Sequence, residues 1–251
     1  MRYAIFGDIH SNIEALNALF GELIAYPGIQ LVCLGDIVGY SASPNRCVQL
    51  IRESRIMAVM GNHDCAIFNE DERNGFNSAA LQAIEWQEKM MTHLNRGYLQ
   101  KLPYTRVIDG VFSITHADFS NPEEFLYVMT PMEAAQSMAQ METSIGFFGH
   151  THIPTVFTQG KNNGLSQKIR QEQMVKESFD FTLSKENRYL INPGSVGQPR
   201  DGNVKGSYMV YDSDRMLLSF RRFDYNFKQE AQRIRDANLP AMLAERLHSG
   251  V

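Results

Sequence analysis

Five of the seven histidines, His10, His63, His116, His150 and His152, follow short apolar runs and keep company with Asp8, Asp36 and Asn62. Taken singly, each has an ordinary explanation: an Asp at a strand end most often makes a turn or caps a helix, and a lone His is most often a satisfied polar residue. The joint pattern is different. Carboxylates and neutral imidazoles converging from separate segments form a metal-binding set, and mixed nitrogen and oxygen donors suit Mn, Fe, Zn, Ni or Co better than Ca or Mg. Without His63 there remain seven candidate ligands, Asp8, His10, Asp36, Asn62, His116, His150 and His152. A single transition ion rarely takes more than about six. The count therefore predicts two divalent ions, manganese first among Mn, Fe, Zn and Ni. A bridging carboxylate would bring them to ~3.5 to 4 Å, a separation that activates water for in-line displacement at phosphorus.

Such a set needs strands to carry it. Tyr3–Phe6 leads to Gly7-Asp8-Ile9-His10, Leu31–Leu34 to Gly35-Asp36, and Ile56–Met60 to Gly61-Asn62-His63-Asp64. Val111–Ile114 leads to Thr115-His116, Ile145–Phe148 to Gly149-His150-Thr151-His152, and Tyr189–Ile191 to Asn192-Pro193-Gly194-Ser195. Apolar runs of this length bounded by Gly are buried strands. Between them, Ile13, Leu16, Leu19, Phe20, Leu23 and Ile24 recur at helical spacing after a cap at Ser11 or Asn12. Ser43-Pro44 opens a second helix and the capping box Thr130-Pro-Met-Glu133 a third.

Residues 66–104 read as a helical insertion, with one helix from Phe76 to Leu94. Residues 160–188 read as a hairpin with a long loop, and about 227–248 as a C-terminal helix capped by Asn226 and broken near Leu239-Pro240. Alternation of strands and helices predicts an α/β fold with ligands at the carboxyl ends of the strands. With no repeat or linker in view, residues 1–251 are expected to form a single domain.

In this order, Asp8-Ile-His10, Gly35-Asp36, Gly61-Asn62-His63-Asp64, His116 and Gly149-His150-Thr-His152 resemble the five motifs of the calcineurin-like metallophosphoesterases. Asp8-Ile-His-Ser-Asn12 and Asn192-Pro-Gly-Ser-Val-Gly197 resemble the small bacterial and archaeal phosphoesterase branch. The resemblance implies a layered β-sandwich flanked by helices, with a dinuclear metal site at the strand ends. It implies that Asp8, His10 and His152 hold one ion, that Asn62, His116 and His150 hold the other, and that Asp36 bridges them. A hydroxide between the ions would then attack the phosphorus of a small phosphomonoester or phosphodiester. The catalytic residue would be His63, which stabilises developing charge or protonates the leaving oxygen.

The second motif departs from that of the superfamily's protein phosphatases, Gly-Asp-x-Val-Asp-Arg-Gly, since here it reads Gly35-Asp-Ile-Val-Gly39-Tyr40. The Asp that orients the catalytic His and the Arg that binds phosphate are missing from that place. A protein phosphatase is thus the weaker enzyme reading. A non-catalytic metal-binding scaffold of the same fold is the alternative from another class, although such scaffolds are expected to have lost ligands or the catalytic His.

Substrate contacts are expected from Arg200, Asn12 and Tyr40, which lie close to the motifs; a surface salt bridge to Asp201 is the competing reading for Arg200. Asn45 could line the pocket or cap a helix, and Phe119 and Phe125 suit core packing better than an apolar wall. His93 and His248 read as surface residues. The 66–104 insertion and the 118–130 loop are expected to set substrate choice.

Composition bounds the rest. The chain of 251 residues carries 24 basic and 28 acidic residues, a formal charge of −4, which excludes a general nucleic-acid polyanion binder. The basic residues Lys161, Lys168, Arg170 and Lys176 make only a solvated loop. No apolar run reaches the ~18 to 20 residues of a membrane span. Cys33, Cys47 and Cys65 are odd in number and lack CxxC spacing, and the N-terminus lacks a signal-peptide shape, so reduced thiols and a cytoplasmic location are expected. Oligomeric state leaves no mark in the sequence.

Overall fold

The computed structural model describes residues 1–160, 169–173 and 177–251. Its strands are β1 (Arg2–Phe6), β2 (Gln30–Cys33), β3 (Met57–Ala58), β4 (Thr105–Ile108), β5 (Phe112–Thr115), β6 (Ile145–Phe147), β7 (Thr155–Gly160), β8 (Ile169–Gln173), β9 (Ser178–Thr182), β10 (Asn187–Asn192), β11 (Gly206–Asp212) and β12 (Leu217–Phe223). The helices are α1 (Ile13–Leu23), α2 (Pro44–Glu53), α3 (Asn62–Ala66), α4 (Ser78–Met90), α5 (His93–Leu99), α6 (Pro131–Gln140), α7 (Phe227–Asp236) and α8 (Ala241–Arg246), with a 3-10 turn at Asp71–Gly75.

Two six-stranded sheets form, ordered β3-β2-β1-β11-β12-β9 and β4-β5-β6-β10-β7-β8. Side chains alternate across each strand, so one strand serves two cores. From β1, Tyr3 and Ile5 join Met209, Tyr211, Phe112, Phe147, Tyr189 and Ile191 in the core shared by the two sheets. Ala4 and Phe6 point the other way, into a second core with Leu16, Leu19, Cys47, Val48 and Ile51 of α1 and α2. On the second sheet, Phe148, Phe157 and Leu190 pack under Ala134 and Met138 of α6. The result is a β-sandwich flanked by helices. Each fully buried side chain of this size contributes roughly 1.5–3 kcal/mol, and the strand ends inherit that rigidity.

Both sheets are mixed, and the strands that precede the candidate ligands are mutually parallel within each sheet. β1, β2 and β3 run together, as do β5, β6 and β10. Parallel strands send all their carboxyl ends to one edge.

Local signals act as expected at several points. Asn12 caps α1 by accepting the Ala15 N–H at 3.0 Å, Pro44 occupies the first turn of α2, and Thr130 and Glu133 close a reciprocal capping box on α6. Three expectations need correction. Ile24, placed on the apolar face of α1, is 82% exposed because the helix ends at Leu23. The helix expected from Phe76 to Leu94 is two helices, since Thr92 turns the chain and caps α5 through the Asn95 N–H. The C-terminal helix, by contrast, breaks into α7 and α8 at Leu239-Pro240 as the proline there predicts.

The third concerns the expected hairpin over 160–188. β8 pairs with β7, whereas β9 crosses to the other sheet and pairs with β12, so the alternating Phe179 and Phe181 do not return to their neighbour in sequence. Lys161, Lys168 and Lys176 lie outside the described residues. The cysteines are buried and unpaired. No helix among the described residues is long and apolar enough to cross a membrane.

Candidate active site

The turns that leave β1, β2, β3, β5 and β6 bring Asp8, His10, Asp36, Asn62, His63, His116, His150 and His152 to one edge of the sandwich. Their backbone is strained to do so. Asp8, His10, Asp36, His150 and His152 all have positive φ, between 49° and 64°. Non-glycine residues are held there only where the surroundings over-determine them, and such positions cluster at functional sites. At Gly61 a Cβ would run into the Asp36 carboxylate, so a glycine is required where β3 meets that turn.

Two groups of donors converge. Asp8, His10, Asp36 and His152 offer ligand atoms within 4.8 Å of one another, and so do Asp36, His116 and His150. Asp36 belongs to both, with its Oδ2 3.5 Å from His10 Nε2 and 3.4 Å from His116 Nε2. The other oxygen, Oδ1, accepts the His63 backbone N–H at 2.9 Å. Asn62 Oδ1 lies 3.2 Å from His116 Nε2, beside the second group.

Tautomers decide whether these groups suit cations. His10 Nδ1 donates to Val38 O at 3.0 Å, His116 Nδ1 to Leu34 O at 2.8 Å and His152 Nδ1 to Gln198 O at 2.6 Å. A carbonyl only accepts, so each of these rings, when neutral, turns the lone pair of its Nε2 toward the site, the arrangement found behind metal-ligating histidines. His10 Nε2 and His152 Nε2 then face each other at 3.0 Å. Two lone pairs repel at that distance unless a cation lies between them. A proton is disfavoured there, because burial pushes both imidazoles below their ordinary range. The donor set fits divalent metal.

The second group balances differently. Burial opposes charge on His116, but the Asp36 carboxylate outweighs it and carries the imidazole up to about 9. Burial would raise Asp36, yet the surrounding imidazoles, His116 first, hold it well below the usual carboxylate range. Burial again keeps His150 neutral.

Behind the ligands stands a shell of buried polar residues. Asp64 accepts the N–H groups of Ile37, Val38 and Gly61, clamping the Asp36 turn to the start of α3; it makes no hydrogen bond to His63 Nδ1. Gln87 of α4 accepts the Gly39 N–H and donates to Ser41 O. Asn192 holds Gly149 O and Thr151 Oγ1, and Ser195 holds Asp8 O. Gln87 gives no signal in the sequence, where it reads as one polar residue on a helix. The roles of Asn192 and Ser195 are foreshadowed only by their motif.

Over this floor opens a cleft of about 210 Å³, lined by Asp36, Asn62, His63, His150 and His152 below and by Tyr40, Arg200, Phe76, Phe125 and Tyr127 around it. Tyr127 stacks on His150 with ring centroids 4.1 Å apart. Glu72, Asn77 and Glu124 complete the rim, so the insertion and the 118–130 loop both supply wall residues.

Of the three expected substrate contacts, Tyr40 and Arg200 are on the wall. Arg200 bonds Tyr40 Oη at 3.1 Å and Gln198 Oε1 at 2.9 Å, while Asp201 pairs with Arg222 instead. Asn12 is corrected: its carboxamide is spent on capping α1 and on Gly197 O at 2.9 Å, and it is not among the lining residues. Asn45 ties α2 to Met90 O and Thr92 N, and Phe119 packs under α6. Phe125, expected in the core, is buried and also faces the cleft. His93 and His248 are exposed.

The profile of the calcineurin-like phosphoesterase superfamily domain matches residues 1–216. The chain belongs to this superfamily. It is 36% identical to an uncharacterized protein of Methanocaldococcus jannaschii over 98% of this chain and 97% of that one. Among solved structures it is similar to a metallophosphoesterase from Sphaerobacter thermophilus, with 32% identity, TM-score 0.85 and full coverage of both chains. It also shares its fold with a hypothetical protein from Pyrococcus horikoshii OT3, with 18% identity, TM-score 0.78, and coverage of 100% of this chain and 98% of that one. In a calcineurin-like phosphoesterase, buried Asp and His donors grouped at the strand ends are the metal centre, and divalent ions are its cofactor.

Proposed function

We propose that the protein hydrolyses a small phosphomonoester or phosphodiester at a dinuclear centre. The observation that carries this reading is the sharing of Asp36 between two donor groups on the floor of a cleft that also holds His63 and Arg200. Asp8, His10 and His152 would hold one ion, Asn62, His116 and His150 the other, and Asp36 both. When bound, the ions supply Lewis acidity toward phosphoryl oxygens and lower the pKa of water toward neutrality.

The chain's own residues do the rest. The carbonyls of Val38, Leu34 and Gln198 keep His10, His116 and His152 in the ligating tautomer. Arg200 presents its guanidinium to the phosphate oxygens not taken by the ions, a task suited to a planar fork of donors. His63, buried and pushed down to about 4 by desolvation, sits neutral at the cleft, from where a ring N–H can donate a hydrogen bond to the phosphoryl group or the leaving oxygen and stabilise its developing charge. The cleft, at about 210 Å³, has room for a phosphoryl group and a short leaving group, which supports a small phosphorylated partner.

The test is direct. Purified protein is loaded in turn with Mn, Ni, Zn and Fe and assayed against p-nitrophenyl phosphate and its bis-ester, with bound metal counted by elemental analysis. Turnover of either ester with about two ions per chain is expected, manganese giving the highest rate. No turnover with any metal, together with unchanged behaviour of Asp36→Asn, would leave only a scaffold.

A further inference from the structure

His63 is 4% exposed, and its Nδ1 has no hydrogen-bond partner. Among the described residues no carboxylate hydrogen-bonds that nitrogen, since Asp64 next to it is occupied by three backbone N–H groups. Yet the ring is tightly enclosed. Tyr40 and Phe76 each lie 4.5 Å away centroid to centroid, at 52° and 39°, and His10 lies edge-on at 4.8 Å. The Nδ1 edge abuts Gly39, where a Cβ would collide with it, and Gly39 has φ +102°. Gln87 fixes that glycine by accepting its N–H at 2.7 Å.

Tyr40 is itself held on several sides. It has φ +53° and is 7% exposed. Its Oη accepts from Arg200, whose guanidinium lies 5.8 Å from the ring centroid. Arg246 of α8 lies at the same 5.8 Å. The chain end is tied to the same place: Arg246 Nε donates to Val251 O at 2.6 Å, and Gly202, two residues beyond Arg200, donates its N–H to Gly250 O at 2.9 Å. These C-terminal elements lie beyond residue 216, where the superfamily profile ends.

We infer that Tyr40 is the positioning residue of this site. Its ring holds His63 by packing, in place of a hydrogen-bonded carboxylate. Its hydroxyl pins Arg200 toward the cleft, and Arg246 on the C-terminal helix pair braces the ring. The activity part of this inference rests on the phosphoesterase reading; the ring-packing part does not.

Three variants separate the two jobs. Tyr40→Phe keeps the ring and removes the hydroxyl. KM for p-nitrophenyl phosphate and the Kd of inorganic phosphate, measured by calorimetry on manganese-loaded protein, are expected to rise about tenfold, the loss of one charge-assisted hydrogen bond. Its kcat should fall by less than KM rises. Tyr40→Leu also frees His63, and kcat is expected to fall about a hundredfold, the cost of a small misplacement of a reacting group. Arg246→Met should raise KM about threefold in the same direction.

The readout independent of turnover is carbethoxylation of His63 by diethyl pyrocarbonate, followed by mass spectrometry with exposed His93 as the internal standard. It should be unchanged in Tyr40→Phe and accelerate several-fold in Tyr40→Leu. Wild-type His63 reactivity in Tyr40→Leu, or wild-type phosphate affinity in Tyr40→Phe, would overturn the corresponding half. Equal losses in both Tyr40 variants that track their melting temperatures would reduce Tyr40 to packing. A wild-type protein that turned over no ester would sink the phosphoesterase reading, while labelling and phosphate binding would still decide the inference.

Discussion

On the floor of the cleft Asp8, His10, Asp36, His116 and His152 are at most 1% exposed, and their outward-facing polar atoms are held by backbone; on the wall Tyr127 is 52% exposed and held chiefly by stacking. The floor is anchored to the ends of core strands, so its atoms move only if the sandwich does. Apart from Tyr40 and Arg200, the wall comes from the 66–104 insertion and the 118–130 loop, which pack by aromatic contact and can vary without disturbing the strands. The difference assigns chemistry to the floor and choice of substrate to the wall. It also ranks the effects of substitution.

Asp36→Asn should have the largest effect, because one side chain serves both donor groups. We expect kcat/KM for p-nitrophenyl phosphate to fall at least ~10³-fold, beyond the ~10- to 100-fold typical of residues that merely support a ligand, and bound metal to fall by elemental analysis. Activity within tenfold of wild type would remove the floor from the chemistry.

The next prediction asks whether the floor is strained without its ions. His116 is carried from 6.5 to about 9, against burial, chiefly by Asp36. An imidazole raised on folding stabilises the fold fully below its unfolded value and loses that contribution as pH rises through its folded value. Chelated protein should therefore lose on the order of 1–3 kcal/mol between pH 6.5 and 9 in urea titrations. Metal-loaded protein should show no such loss, since ligation replaces that proton. Asp36→Asn should flatten the chelated curve. A chelated wild type that gained stability over this range would show that the ion pair does not form.

Asn192→Ala tests the shell behind the floor. Its carboxamide fixes the turn bearing His150 and His152 without pointing at substrate. A loss of ~10- to 100-fold in metal affinity is expected, read by competition with a chromophoric chelator. Unchanged affinity would mean that the strained turn holds itself.

The floor was the legible part of the sequence. Short apolar runs ending in Gly mark strand ends, and a run of such ends in parallel strands leaves few places for their polar residues to go. The strain at Asp8, His10, Asp36, His150 and His152 left no trace, because none of these residue types announces a left-handed backbone as glycine does. The crossing of β9 was hidden for another reason: alternation of Phe179 and Phe181 defines a face but not the strand that will pair with it. Wall residues were the least legible. Phe76 and Tyr127 lie in stretches whose aromatic content reads equally as core, and only the folded chain brings one against His63 and the other against His150.

The smallest expected effect falls on that wall and is the most informative about it. Tyr127 offers an exposed aromatic face above His150, so an aromatic leaving group should gain from it and a short aliphatic one should not. Tyr127→Ala is expected to lower kcat/KM for p-nitrophenyl phosphate about three- to tenfold, and that for glycerol phosphate less than about twofold, in line with the modest discrimination of apolar contacts. The ratio matters more than either value. A uniform loss would mean that Tyr127 steadies His150, making it part of the floor, and the division between chemistry and choice would have to be redrawn at this residue. A change in the ratio with metal content unaltered would place specificity in the loop, where chain length and composition can change while the strand-end donors stay fixed.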